Sequence, residues 1–168
     1  MCRWKDGFGC FSFYPAKHIA TGDGGILTCK LKKNFIKAKL FKGFGVNKTF
    51  EQRKVPGEYD VVSLGLNFRM TEMQCALGVE QLKRLSSFIK TREKNFKYLK
   101  NGLKDIENIE ILSTDSEENF KSSYYCMSII LKEKLKPKRI KIINYLKNLG
   151  IGTSIYYPKI IPMFSHYK

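Results

Sequence analysis

The sequence has few of the residues that build metal centres and disulfide frameworks. Its two histidines stand far apart, and its five cysteines are scattered, with no Cys-x-x-Cys pair among them. A zinc module needs clustered cysteine or histidine ligands, and a disulfide framework needs an even set of cysteines. The sequence therefore predicts no metal site and free cysteine thiols.

Long apolar runs are also missing. No stretch is long and apolar enough to cross a bilayer, so no membrane partner is expected. Residues 1–6 lack the apolar run of a secretory signal. The expected location is therefore the cytoplasm.

Acidic residues are scarce: 15 Asp and Glu stand against 31 Lys and Arg, which gives a formal net charge of +16. Such a balance suits an anionic partner, whether nucleic acid, a membrane surface or a phosphorylated small molecule. The lysines are dispersed singly through helical segments, however, which is typical of a solvated surface. Because the sequence shows no zinc finger, no RNA-recognition aromatics and no clustered basic arm, a nucleic-acid-binding module is the weakest alternative. No nucleic-acid partner is expected.

What is present suits a globular protein of 168 residues, with 43% apolar and 13% aromatic side chains. The first 63 residues predict one strand, a glycine-rich turn, a second strand, a helix and an irregular loop. These elements are expected at residues 9–14, 21–25, 26–29, 33–42 and 43–63.

A long amphipathic helix is predicted from Thr71 onward. Thr71 and Gln74 have the spacing of a capping box, in which each side chain bonds a free amide at the helix start. Apolar residues then recur at spacings that are mostly three or four, which predicts a face that packs on a core. These residues are Leu85, Ile89, Phe96, Leu99, Leu103 and Ile106.

The last third alternates between strand and helix patterns. Strands are predicted at 110–112, 124–131 and 153–157, with an acidic loop at 115–119 and a helix between Pro137 and Gly150. The fold class predicted from the whole pattern is α/β, with this small layer packed beside the long helix.

Lys17 is the residue with the clearest chemical potential. It follows an apolar strand and precedes a glycine loop, and an amine shielded from water there becomes a usable nucleophile. Ser12 can donate a hydrogen bond to an anion, and glycine amides can approach a phosphate. From the residues alone, an ordinary surface lysine remains the stronger alternative.

Three segments resemble the DegT/DnrJ/EryC1/StrS family of sugar aminotransferases. Phe-Ser-Phe-Tyr-Pro-Ala-Lys at 11–17, with Gly-Asp-Gly-Gly at 22–25, is similar to the family's cofactor-lysine segment. Gly-Leu-Asn-Phe-Arg-Met at 65–70 is similar to its Gly-x-Asn-Tyr-Arg-Met block, and Ala-Leu-Gly-x-x-Gln-Leu at 76–82 continues the match. Tyr-Tyr-Pro at 156–158 resembles a less specific Tyr-Pro block. The segments keep the family's order.

The resemblance implies a role for each matching residue. Lys17 would bind pyridoxal 5'-phosphate through a Schiff base and, once freed, would move the substrate proton. Ser12 would bind the cofactor phosphate, and Asn67 would reach the phosphate site of a neighbouring subunit in a homodimer. Arg69 would position this block, touch the shared site or form a structural ion pair, and Tyr157 would lie on the substrate side.

The same resemblance implies the domain organisation, that of the C-terminal portion of a fold type I enzyme related to aspartate aminotransferase. Residues 1–70 would be the end of the cofactor-binding large domain. Residues 71–106 would be a connecting helix, and residues 107–168 a small α/β domain for which truncation is left open. Family members are longer, and their preceding half supplies the ring-stacking group and the carboxylate on the pyridine nitrogen.

The function implied is transfer of an amino group, with glutamate as the expected donor, to a nucleotide-linked keto sugar in surface-polysaccharide synthesis. The chain would be a fragment of that enzyme lacking the N-terminal half. The alternatives are an inactive truncated fragment and the nucleic-acid-binding module already described. A dehydratase relative is disfavoured because dehydratases of the family carry histidine where this sequence has Lys17.

Overall fold

The computed structural model describes residues 7–112 and 121–167. They form two compact units. The first comprises residues 7–98 and 121–126, and the second comprises residues 99–112 and 127–167. Each unit contains both helices and strands, which confirms the predicted α/β class.

The first unit begins with an antiparallel hairpin. Strand β1 (Phe8–Ser12) pairs with strand β2 (Gly25–Cys29), so that Phe8 lies opposite Cys29 and Ser12 lies opposite Gly25. Aromatic and β-branched residues favour the extended conformation here. Both predicted strands are confirmed with boundaries shifted by one or two residues. The first ends before Tyr14 because the chain turns there, with the Lys17 N–H donating to the Tyr14 carbonyl at 2.8 Å.

Helix α1 (Lys32–Lys42) follows the hairpin and confirms the helix predicted over 33–42. The predicted irregular loop then folds back on the C-terminal end of α1. The backbones of Gly45 and Gly65 lie so close that a Cβ on Gly65 would overlap the main chain of Phe44. Glycine is therefore required at position 65 for the segment carrying Asn67 to lie against the helix end.

Helix α2 (Glu72–Leu103) is the long helix that the sequence predicts. The capping box at its start is confirmed: the Thr71 N–H donates to Gln74 Oε1 at 2.9 Å, and the Gln74 N–H donates to Thr71 Oγ1 at 3.3 Å. The prediction of a fully packed apolar stripe is only partly correct. Phe96 is buried, whereas Leu99 and Ile106 are each about half exposed.

The second unit contains a short antiparallel pair and a helix. Strand β3 (Ile109–Ile111) pairs with strand β4 (Ile129–Leu131), and a 3-10 turn (Glu133–Lys138) precedes helix α3 (Arg139–Asn148). The predicted strand at 124–131 begins only at Ile129, because β3 offers three residues for pairing. The strand predicted at 153–157 is wrong: none of the residues that the structure describes forms a strand pair with this segment. The predicted acidic loop at 115–119 lies outside the described residues.

Within the described residues, the buried apolar core consists of Phe96 and Tyr124, each 4% exposed. Their rings meet at a centroid distance of 5.4 Å in the first unit. The side chains of the β1–β2 hairpin are largely exposed instead, among them Phe11 and Ile26. No helix in the described part of the chain is long and apolar enough to cross a membrane.

Candidate active site

The connection between β1 and β2, residues 13–24, is called the lysine loop here. Its two ends are tied together, because the Phe13 N–H donates to the Gly24 carbonyl and the Thr21 N–H donates to the Phe13 carbonyl, each at 3.0 Å. The loop is also tied to α2, where Gln74 Nε2 donates to the Asp23 carbonyl at 3.1 Å. The loop is therefore fixed to the same helix start that the capping box stabilises.

Lys17 is half-buried within this loop, and its amine lies against Tyr125. Lys17 Nζ is 3.5 Å from the phenol oxygen of Tyr125 and 4.8 Å from the centroid of its ring. In the part of the chain that the structure describes, no carboxylate forms an ion pair with this amine.

Tyr125 was not foreseen from the sequence, although it is the side chain that Lys17 contacts. Its carbonyl accepts a hydrogen bond from Arg92 Nη1 of α2 at 3.0 Å. A ring nitrogen of His18 lies 2.7 Å from the carbonyl of Ser123, and the rings of His18 and Tyr125 are 5.6 Å apart. The residues following the lysine are therefore joined to the segment 122–125 at two points.

The neighbouring Tyr124 anchors that segment in the core. Its ring packs on Phe96, its N–H donates to Ser122 Oγ at 3.1 Å, and its hydroxyl is 3.5 Å from Glu93 Oε1. Glu93 also pairs with Lys97 at 2.7 Å, and this charged hydrogen bond lowers the pKa of the Glu93 carboxyl below its ordinary value.

Ser12 ends strand β1, five residues before Lys17, and its side chain is exposed. Its oxygen accepts a hydrogen bond from the Tyr14 N–H at 3.3 Å. Among the described residues its own O–H donates to no partner, so it remains available to an anion. Ser12 and Lys17 thus lie at the same end of the hairpin.

Asn67 lies elsewhere in the first unit, beside the C-terminal end of α1. It pairs with Gly43 in a short antiparallel bridge, and its Oδ1 accepts a hydrogen bond from Arg69 Nε at 3.1 Å. The guanidinium carbon of Arg69 also lies 5.1 Å from the centroid of the Phe44 ring. Tyr157, in the second unit, is 75% exposed.

The donor set fits a phosphorylated aldehyde better than a metal ion. A half-buried amine without an acidic partner can condense with an aldehyde, and a free hydroxyl can donate to a phosphate. The described residues include no group of three or more His, Cys, Asp or Glu side chains placed to hold a metal ion. The chemistry of the Lys17 amine and the Ser12 hydroxyl is therefore compatible with a phosphorylated aldehyde cofactor.

Comparison with known proteins shows which family the chain belongs to. Residues 4–168 match the model of the DegT/DnrJ/EryC1/StrS aminotransferase family. A Campylobacter jejuni relative, UDP-4-amino-4,6-dideoxy-N-acetyl-beta-L-altrosamine transaminase, is 31% identical over 94% of this chain and 40% of its own length. An Escherichia coli relative, GDP-4-keto-6-deoxy-D-mannose 3-dehydratase, is 29% identical over 85% of this chain and 38% of its own length.

A solved structure of an aminotransferase has a similar fold. Helicobacter pylori PseC, an aminotransferase involved in the biosynthesis of pseudoaminic acid, superposes with a TM-score of 0.83 at 30% identity. The match covers 95% of this chain and 41% of that one, so the chain spans about two fifths of the length of the proteins it resembles. The chain belongs to the DegT/DnrJ/EryC1/StrS aminotransferase family, whose aminotransferases use pyridoxal 5'-phosphate.

Proposed function

We propose that this chain carries the cofactor lysine of an aminotransferase that moves an amino group from glutamate to a nucleotide-linked keto sugar. The observation that carries the proposal is the Lys17 amine, which is half-buried on the lysine loop and lies 3.5 Å from the phenol oxygen of Tyr125. The relatives support the substrate class, since the Campylobacter jejuni protein is named as a transaminase of a UDP-linked amino sugar.

Each step assigned to the chain uses a group already located. The Lys17 amine would hold the cofactor covalently and, once freed by the amino donor, would move the proton at the substrate carbon. The Ser12 hydroxyl would donate a hydrogen bond to the cofactor phosphate. Pyridoxal phosphate supplies the electron sink that makes the substrate proton removable. The net charge of +16 suits a substrate that carries phosphates of its own.

A homodimer with shared sites is part of the proposal. Asn67 is exposed, and Arg69 engages only its carbonyl oxygen among the described residues, which leaves the amide NH2 group to donate outward. An amide held in this way suits a phosphate of a partner subunit. The proposed domain organisation is unchanged. The cofactor domain would end with residues 1–70, the connecting helix would be residues 71–106, and the small domain would be residues 107–168.

A dehydratase is the second candidate because one relative is named as a 3-dehydratase. The family resemblance implies that dehydratases use a histidine as the base at the position where this chain has Lys17. His18, the adjacent histidine, has its ring nitrogen engaged with the Ser123 carbonyl at 2.7 Å. The local geometry therefore supports the aminotransferase.

Selective labelling of Lys17 tests the proposal. The chain is incubated with pyridoxal phosphate, reduced with borohydride and digested, and the modified lysines are quantified by mass spectrometry. Lys48 is the matched reference: it is also half-buried in the first unit, but it pairs with Glu58 at 3.1 Å. Lys17 is expected to react about tenfold faster than Lys48, corresponding to about 1.4 kcal/mol in the barrier.

Lys17→Arg and Lys48→Arg provide the controls. The first is expected to abolish the selective adduct, whereas the second leaves it unchanged. A second measurement adds the polypeptide that supplies the remaining three fifths of the relatives' length and follows conversion of glutamate to 2-oxoglutarate with a keto sugar nucleotide. Equal labelling of Lys17 and Lys48 would rule out the assigned lysine. Selective labelling without any conversion would favour the inactive-fragment alternative.

A further inference from the structure

Tyr125 lies far from Lys17 in sequence, yet its side chain meets the amine in two ways. The phenol oxygen is 3.5 Å from Lys17 Nζ, and the ring centroid is 4.8 Å from it. We propose that Tyr125 is the positioning residue that holds the Lys17 amine ready for the cofactor and for proton transfer. This inference rests on the proposed function, because it assigns a partner to the same lysine.

The two contacts suit an amine that changes its charge. When the amine is protonated, the face of the aromatic ring attracts it, and the phenol oxygen accepts one of its hydrogens. When the amine is neutral, its lone pair can accept the phenol hydrogen instead. A carboxylate would favour the ammonium form, because it pairs with the positive charge and has no hydrogen to donate to a neutral amine. Tyrosine can therefore hold the amine before and after each proton transfer.

The tyrosine is itself held from two sides. Arg92 Nη1 donates to the Tyr125 carbonyl at 3.0 Å, which fixes its backbone to α2. The ring of His18 stacks at a tilt on the ring of Tyr125, with centroids 5.6 Å apart. Because His18 follows Lys17 directly in the chain, its contact with the Tyr125 ring also connects that ring to the backbone at Lys17.

The backbone at Tyr124 explains how Tyr125 reaches the lysine. Tyr124 has φ of +49°, a left-handed conformation that bulky side chains rarely adopt. The neighbouring contacts maintain it: the ring is buried on Phe96, and the N–H donates to Ser122 Oγ at 3.1 Å. Unfavourable backbone geometry kept in place by surrounding contacts is characteristic of functional sites. Here it sends Tyr124 into the core and Tyr125 to Lys17.

The test compares two reagents on the Lys17 amine of the full chain. Acetic anhydride is small and reports only how free the amine is, whereas pyridoxal phosphate needs the amine in a defined place. Both rates are measured by mass spectrometry and divided by the rate at Lys48 in the same molecules. The variants are Tyr125→Leu, which loses ring and hydroxyl, and Tyr125→Phe, which keeps the ring. Tyr98→Leu, at a tyrosine that is 80% exposed, is the control.

Tyr125→Leu is expected to speed acetylation of Lys17 and to slow its reaction with pyridoxal phosphate, each by about fivefold, as for loss of a cation–π contact. Tyr125→Phe is expected to keep most of the positioning and to change each rate by about twofold, since it loses only a long hydrogen bond. General unfolding would change Lys48 as well and leave the ratios near those of a denatured chain, which circular dichroism detects. Tyr98→Leu should change neither ratio.

Two failures have different meanings. If both ratios at Lys17 stay at the wild-type value in a folded Tyr125→Leu variant, the positioning role of Tyr125 is overturned while the lysine assignment stands. If wild-type Lys17 shows no preference for pyridoxal phosphate, the proposed function fails, and with it the role of Tyr125, even where acetylation still responds to the substitution. The opposite changes in the two rates support the inference, because a purely structural contact would not separate the reagents.

Discussion

Replacing Phe96 with alanine tests whether the first unit depends on its small core. Phe96 is 4% exposed, so the substitution gives up nearly the full transfer free energy of the ring, about 2 to 3 kcal/mol. Partial collapse around Tyr124 leaves a cavity on the order of 50 Å³, which adds about 1 kcal/mol. The free energy of unfolding is therefore expected to fall by about 3 to 4 kcal/mol.

Thermal unfolding followed by circular dichroism measures this loss. For a chain of this size, a change of 3 kcal/mol corresponds to a fall in Tm of about 6 to 12 °C. Tyr98→Ala is the matched control, since Tyr98 is an aromatic residue on the same helix but is 80% exposed, and its removal should cost less than about 0.5 kcal/mol. Equal losses in the two variants would refute the conclusion that Phe96 and Tyr124 form the core of this unit.

Two further substitutions test local features. Gly102 is the penultimate residue of α2 and has open space around it, so Gly102→Ala should stabilise the protein by about 0.5 kcal/mol. Gly150→Ala should instead destabilise it by about 1 kcal/mol, because Gly150 has φ of +77°. Urea unfolding of both variants measures the two signs. The pKa of Glu93 is lowered in the folded state by its bond to Lys97, so the stability it contributes is present above its unfolded pKa and is lost on acidification through the folded one. Between about pH 5 and about pH 3, the Tm of Glu93→Gln should therefore fall less than that of the wild type; parallel curves would contradict this.

Features set by neighbouring residues could be predicted from the sequence, and features set by distant ones could not. The capping box of Thr71 and Gln74 depends on three residues of spacing and formed as expected. The 153–157 segment has β-favouring residues, yet a strand also requires a partner, which no local pattern supplies. The apolar stripe of α2 was correctly spaced, but periodicity does not say how much polypeptide covers it.

The candidate site divides in the same way. Lys17 and Ser12 could be identified because they stand in one short motif, and their placement at the same end of the hairpin follows from the turn between β1 and β2. Tyr125 could not be identified. In the predicted strand, the alternation of side chains would only have placed Tyr125 and Tyr124 on opposite faces. The positive φ at Tyr124 and the contact across 108 positions of sequence are tertiary features.

The stability of the lysine loop depends on the β1–β2 hairpin that carries it. This hairpin has two strands, and most of its side chains are exposed on both faces. A hairpin of this kind is marginally stable by itself in water, so any polypeptide that extends it by another strand or shields a face will shift its folding equilibrium. Such a polypeptide should therefore add to the stability that the bond between Gln74 and Asp23 already gives the loop carrying Lys17.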